Sequence, residues 1–237
     1  EARSAGHLRP LETTAATRAI LGATDWLFYW MHDVDRAAVM DTADAAWDIL
    51  LHGLHAGPDT FDPRPLTVGM AGDRPAQGFD RQEQNRQKQE AFYKAGTWFF
   101  NKAGFNGASL DAIAEHLNVS KGAFYYHIRN KEDLLYACYE RSLDIMQRIY
   151  RQITDEDLTG LQKLDEVARR VFHAQNSDGG PLIRYNTITA LPPPRRREIL
   201  AETEATNSRF DTFIREGMAD GSVRQVEPFL ARSLMTG

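Results

Sequence analysis

Between Ser109 and Lys131 the chain reads Ser-Leu-Asp-Ala-Ile-Ala-Glu-His-Leu-Asn-Val-Ser-Lys-Gly-Ala-Phe-Tyr-Tyr-His-Ile-Arg-Asn-Lys, a run that few folds accommodate. Ser109 is a good helix N-cap. Leu110, Ile113, Ala114 and Leu117 follow at i, i+3, i+4 and i+7, the single apolar stripe of a short helix. Asn118 tolerates a left-handed backbone, Val119 supplies one apolar plug, and Ser120 can cap a second helix beginning at Lys121. Two short helices joined by so tight a turn make a helix-turn-helix.

The second helix carries the chemical signal. Lys121, Gly122, Ala123, Tyr125, Tyr126 and His127 place donors, rings and small residues where a core helix would carry Leu and Ile. Small residues at the helix start allow close approach to a DNA major groove. Lysine reaches guanine edges or phosphates, and tyrosine hydroxyls and imidazole suit phosphate oxygens. The competing interpretation is an aromatic packing helix. It is the weaker one, because Phe124 alone suffices as an inward anchor and the other rings would bury polar tips without partners.

Val119 to Ile128 followed by Lys131-Glu132-Asp133-Leu134-Leu135 resembles the DNA-binding signature of the tetracycline-repressor (TetR) family of bacterial regulators. Ile128 stands where an aromatic is more usual and keeps a bulky apolar plug there. The resemblance implies an all-α fold, with a three-helix helix-turn-helix DNA-binding domain followed by a helical-bundle domain for ligand binding and dimerisation. It also implies that Lys121, Gly122, Ala123 and Tyr126 approach base edges of double-stranded operator DNA, while Ser109, Tyr125, His127 and Lys131 hold phosphates. Lys131 opens a helix, where a cation is unfavourable, so it is expected to serve an anion.

The net charge of −5 argues against nucleic acid until its distribution is considered. Residues 81–131 hold eight Lys and Arg against four Asp and Glu, so a locally basic module sits in an acidic chain. No apolar run approaches the roughly 20 residues a bilayer requires, and no signal-peptide pattern opens the sequence, which makes a cytoplasmic location the default expectation. The single cysteine, Cys138, falls on an apolar helical stripe with Leu134, Leu135 and Ile145 and is expected to be a buried thiol. His52 and His55 lie without an evident carboxylate or cysteine and are expected to be solvated rather than metal-bound. No nucleotide-binding glycine pattern, paired catalytic carboxylates or nucleophile elbow occurs, so neither an enzyme nor a cofactor is expected.

Around this module the periodicity predicts helices throughout. A hairpin is expected over 12–31 and 36–54, with Trp26, Trp30 and Trp47 on a broad apolar face, then a Pro/Gly/Asp-rich linker through 58–82. An amphipathic helix over 84–103 should end at Gly104 and cover the two motif helices. A long helix should run from Lys131 to about Ile153, followed by helices at 158–174 and 195–218, the last stopped by Gly221. A mainly apolar effector is expected among these last three, with Phe172, His173, Tyr185 and Phe210 as lining candidates. The chain also resembles itself at a shift of 215 residues: Glu1/Glu216, Gly6/Gly221, Arg9/Arg224, Glu12/Glu227, Ala16/Ala231 and Gly22/Gly237 are identical. The expected organisation is therefore tandem: 1–56 closes one TetR-like unit, 57–80 links, 81–130 is the DNA-binding domain and 131–237 the bundle of a second, incomplete unit. Pairing through the hairpin would give a homodimer or an intramolecular pseudo-dimer. The resemblance implies a transcriptional regulator, in particular a repressor that a small molecule releases; the alternative is a helical interaction module that keeps the fold without binding DNA.

Overall fold

A computed structural model of the chain describes residues 38–57, 60 and 81–236, with isolated positions between 14 and 22. The expected helix over 12–31, with Trp26 and Trp30, and nearly all of the linker lie outside the described residues. Among those described the elements are α1 (Val39–His52), α2 (Arg81–Gly107), α3 (Leu110–His116), α4 (Lys121–His127), α5 (Lys131–Thr154), α6 (Gly160–Asn176), a 3-10 turn (Tyr185–Ala190), α7 (Pro193–Asp220) and α8 (Pro228–Thr236). The fold is all-α, a helix-turn-helix domain with a helical bundle. No helix among the described residues is long and apolar enough to cross a membrane.

Helix boundaries follow local chemistry closely. Gly104 interrupts α2 at φ 68, one turn before its end at Gly107, because a residue without Cβ reaches positive φ cheaply. The start of α7 lies at Pro193, two residues earlier than expected, since proline's fixed φ suits a first helical turn that needs no N–H. Gly221 ends the same helix at φ 80. Helix α8 is absent from the expected set of elements.

Contacts divide the chain into two compact units. Among the described residues one comprises 81–157 and 165–209, the other 38–57, 60, 158–164 and 210–236. The core of the first joins α2 to the motif and to α5: Phe92, Phe100, Ile113, Phe124, Ile128, Leu134 and Leu135 are buried together. Gly96 makes this packing possible, because a Cβ there would lie 3.0 Å from the Leu134 side chain. In the second unit Gly160 lies against backbone, with a hypothetical Cβ only 2.1 Å from the Gly217 nitrogen. The first N–H groups of α6 are capped from afar, Gly160 N donating to Asp220 Oδ2 at 2.8 Å and Leu161 N to Ser222 Oγ at 3.1 Å. Helix α1 is fixed in this unit through Arg224, which pairs with Asp48 at 2.6 Å and donates to the Gly53 carbonyl at 2.8 Å.

Only part of the apolar surface expected on α1 is covered. Ala46 and Ile49 are buried, whereas Met40, Trp47 and Leu51 are exposed, Trp47 by 55%. His52 does have a carboxylate neighbour, bonding Asp48 at 2.8 Å one helical turn earlier, contrary to the expectation from sequence. That pair is exposed, and no cluster of three metal-binding side chains occurs among the described residues. Cys138 is fully buried, as expected, and burial pushes its thiol up to about 12.

Candidate nucleic-acid interface

The two serines cap the helices as their positions suggest. Ser109, in extended backbone, accepts from Ala112 N at 3.4 Å, and Ser120 accepts from Ala123 N at 3.2 Å. Asn118 takes up the left-handed turn at φ 54. Helix α4 is seven residues long and buries only Phe124, whose ring packs 5.0 Å from Phe92. That single anchor, with Ile128 behind it, turns the rest of α4 outward.

Lys121, Gly122, Ala123, Tyr125 and Tyr126 are exposed, Tyr126 by 84%, and half-buried His127 rests 5.6 Å from Phe92 and 5.1 Å from Tyr126. A Cβ on Gly122 would meet nothing within 4 Å, so nothing within the described protein requires glycine there. Ser109 lies exposed at the start of α3. Seven of the eight residues expected at a DNA surface therefore fall on or beside one short helix pair. The eighth, Lys131, opens α5 and has local employment that the sequence concealed: its Nζ donates to the Ala108 carbonyl at 3.0 Å and lies 4.6 Å from the Phe105 ring centre.

One residue of this surface escaped the sequence analysis. Asp111, in the first turn of α3, receives Lys121 Nζ at 2.5 Å on Oδ2 and the Tyr125 hydroxyl at 3.2 Å on Oδ1. Lys121 holds the Asp111 carboxyl below its ordinary pKa, and Asp111 in return raises that of Lys121. An acid there already has a sufficient explanation in the helix dipole, and the spacing of ten residues to Lys121 follows no helical period, so nothing local marked the pair.

The lining candidates for an effector are differently placed. Phe172 is 72% exposed and His173 half-buried, both on α6. Tyr185 packs 5.7 Å from Tyr139 and hydrogen-bonds Thr203. Phe210 is buried in the other compact unit, so no single unit holds all four. An open cleft of about 510 Å³ lies elsewhere, against Gly104, Phe105, Asn106, Asn186 and Thr189.

These features define a three-helix helix-turn-helix domain whose second motif helix presents a polar, aromatic surface. The motif is of the tetR kind: residues 93–138 match the family model described as bacterial regulatory proteins, tetR family. The chain is similar to the uncharacterized HTH-type transcriptional regulator YerO of Bacillus subtilis (strain 168), 34% identical over 92 residues that cover 39% of this chain and 31% of that protein. It is also similar to the Transposon Tn10 TetC protein of Escherichia coli, 32% identical over 75 residues, 32% of this chain and 38% of that one. The matches thus span about a third of these two curated relatives. A longer match joins it to the HTH-type transcriptional repressor KstR2 of Mycolicibacterium smegmatis, 26% identical over 157 residues, 65% of this chain and 73% of that protein. Among solved structures, AibR in complex with isovaleryl coenzyme A and operator DNA shares the fold with TM-score 0.55 at 20% identity, covering 63% of this chain and 82% of that one. PfmR from Thermus thermophilus does so with TM-score 0.51 at 21% identity, covering 60% and 78%.

Proposed function

We propose that this chain binds double-stranded DNA through the exposed face of α4 and regulates transcription, as a repressor released by a small, mainly apolar effector. One observation carries the DNA-binding role. A seven-residue helix held by the single buried ring of Phe124 turns Lys121, Gly122, Ala123, Tyr125 and Tyr126 outward, a composition suited to bases and phosphates. In this role Ser109, Tyr125, His127 and Lys131 hold the backbone around the base-reading residues. A protein of this fold, AibR, is found in complex with isovaleryl coenzyme A and operator DNA, so the fold accommodates both a small molecule and DNA. Two such helices roughly 34–36 Å apart, in a homodimer or a tandem pseudo-dimer, would meet half-sites one DNA turn apart.

A salt-dependent fluorescence titration against the DNA upstream of the protein's own gene tests the role. Tyr126→Ala should relax sequence preference at a cost of ~1–3 kcal/mol, whereas Lys131→Ala should weaken all sequences alike and lower the salt slope by about one. Unchanged binding in both variants would refute the assignment. A wild-type protein with no salt-dependent binding would leave the helical interaction module as the better description.

A further inference from the structure

Asp111 is an acid on the surface that the proposed function turns toward a polyanion. Its two carboxylate oxygens are both used by α4, one by Lys121 Nζ at 2.5 Å and the other by the Tyr125 hydroxyl at 3.2 Å. Lys121 and Tyr125 are one helical turn apart and so share a face. One anionic group with two oxygens, each taking one donor, is the arrangement a phosphodiester would offer the same side chains. The pair also lies where DNA would arrive, the side chains of Lys121 and Asp111 being 68% and 46% exposed.

We propose that Asp111 is an intramolecular stand-in for a DNA phosphate, which neutralises Lys121 and orients Tyr125 until a duplex displaces it, and thereby holds down binding to non-target DNA. The inference rests on the DNA-binding role proposed above. Its consequence is thermodynamic. The salt dependence of binding counts the cations released when protein charges replace them on the backbone, with a slope of about 0.9 per phosphate neutralised. When Lys121 moves from Asp111 to a phosphate, the vacated carboxylate stays against the backbone, and its negative charge there keeps in place about the cation that Lys121 would have released. The exchange nearly cancels, so Lys121 contributes little to non-specific affinity while Asp111 is present. Removing the Asp111 charge restores the full contribution.

The test uses the full chain, a fluorescein-labelled random-sequence duplex of about 30 base pairs, and anisotropy titrations between about 50 and 200 mM salt. Asp111→Asn should steepen the slope by about 0.9. It should also tighten non-specific binding roughly two- to fivefold, the scale of one exposed ion pair. Lys121→Ala alone should leave the slope nearly unchanged, while Lys121→Ala on the Asp111→Asn background should remove about 0.9. A residue that merely supports α3 would produce no such dependence of one substitution on the other. Equal slope losses for Lys121→Ala in both backgrounds, or an Asp111→Asn variant that binds as wild type does, overturn the inference and leave the DNA-binding role intact. A wild-type protein without salt-dependent binding overturns both. Should Asp111→Asn fold poorly, Asp111→Ser supplies the uncharged background: Lys121→Ala should again remove about 0.9 there and nearly nothing with Asp111 present, and equal losses refute the stand-in.

Discussion

Gly122→Ala separates what the protein needs at the recognition helix from what its partner needs. Glycine inside a helix costs ~0.5–1 kcal/mol relative to alanine, because its unfolded backbone has more freedom to lose. Here a methyl would meet nothing within 4 Å, and the backbone is already helical, so no clash opposes that gain. Gly122→Ala should therefore stabilise the chain by ~0.5–1 kcal/mol, a rise of roughly 1–4 °C in Tm at this size. The same methyl projects from the face proposed to enter the major groove, where helix and base edges approach closely. Loss of one good base-edge interaction is worth ~1–3 kcal/mol, so affinity for the target sequence should fall roughly five- to 150-fold while Tm rises. Differential scanning fluorimetry and anisotropy on the same preparation read both quantities. A fall in Tm would refute the open-space argument. A rise in Tm with unchanged target affinity would show that DNA does not approach position 122.

Three further predictions concern the rest of the chain. Gly160→Ala should do the reverse of Gly122→Ala and destabilise by at least the ~1–3 kcal/mol of an overpacked site, since its Cβ would fall 2.1 Å from the Gly217 nitrogen and 2.4 Å from the Phe213 carbonyl oxygen; a Tm at or above wild type would contradict the close approach. Cys138, fully buried with its thiol pushed up to about 12, should resist an aromatic disulfide reagent at pH 8 until denaturant is added, and rapid labelling of the native protein would contradict its placement. Glu140 has its pKa raised, first by burial and then by the charges of Glu202 and Glu198 against the bond from Tyr136, so the folded state holds its proton more tightly than the unfolded one. Its ionisation thus costs stability as pH rises above the unfolded value, and Glu140→Gln should raise Tm at pH 7 with the gain shrinking toward pH 4; an equal gain at both pH values would contradict the linkage.

The parts of this structure legible in the sequence are those whose cause is local. Ser109 and Ser120 satisfy N–H groups three residues away, Asn118 and Gly104 supply positive φ, and Leu134, Leu135 and Cys138 share one helical stripe. A short window holds each of these causes whole. Asp111 with Lys121 and Lys131 with the Ala108 carbonyl depend instead on how α3 meets α4 and α5. Each of those residues had a plausible solitary role, a first-turn acid or a spare cation, that concealed its partner. The start of α6 illustrates the same limit, because the groups that cap Gly160 and Leu161 come from Asp220 and Ser222, some sixty residues away. On α1 the expected apolar face held Met40, Trp47 and Leu51, which are exposed, and of the buried pair Ala46 and Ile49 it held only Ala46, because so many neighbouring apolar residues leave the phase of the stripe open.

Arg141 shows what such distant partnerships add to the function. Helix α5 starts directly after the motif and so offers one route for a signal toward it. Yet Arg141, buried on α5, donates to Glu90 of α2 at 2.7 Å and to the carbonyls of Pro181, at 3.0 Å, and Gly179. The next residues of the same segment are taken from both sides. Asn101 of α2 donates to the Leu182 carbonyl at 2.8 Å and accepts from Arg184 N at 2.9 Å, while Ser142 of α5 accepts from Ile183 N at 3.0 Å. Residues 179–184 are thus bonded at once to α5 and to α2, the helix whose Phe92 supports Phe124 of the recognition helix. Moving α5 while leaving α2 in place would strand a buried guanidinium and several backbone groups, each costing ~1–3 kcal/mol or more when left unpaired. An effector that moved α5 would therefore shift α5, α2 and this segment together, and one that displaced residues 179–190 would act on the motif through α2 as directly as through α5.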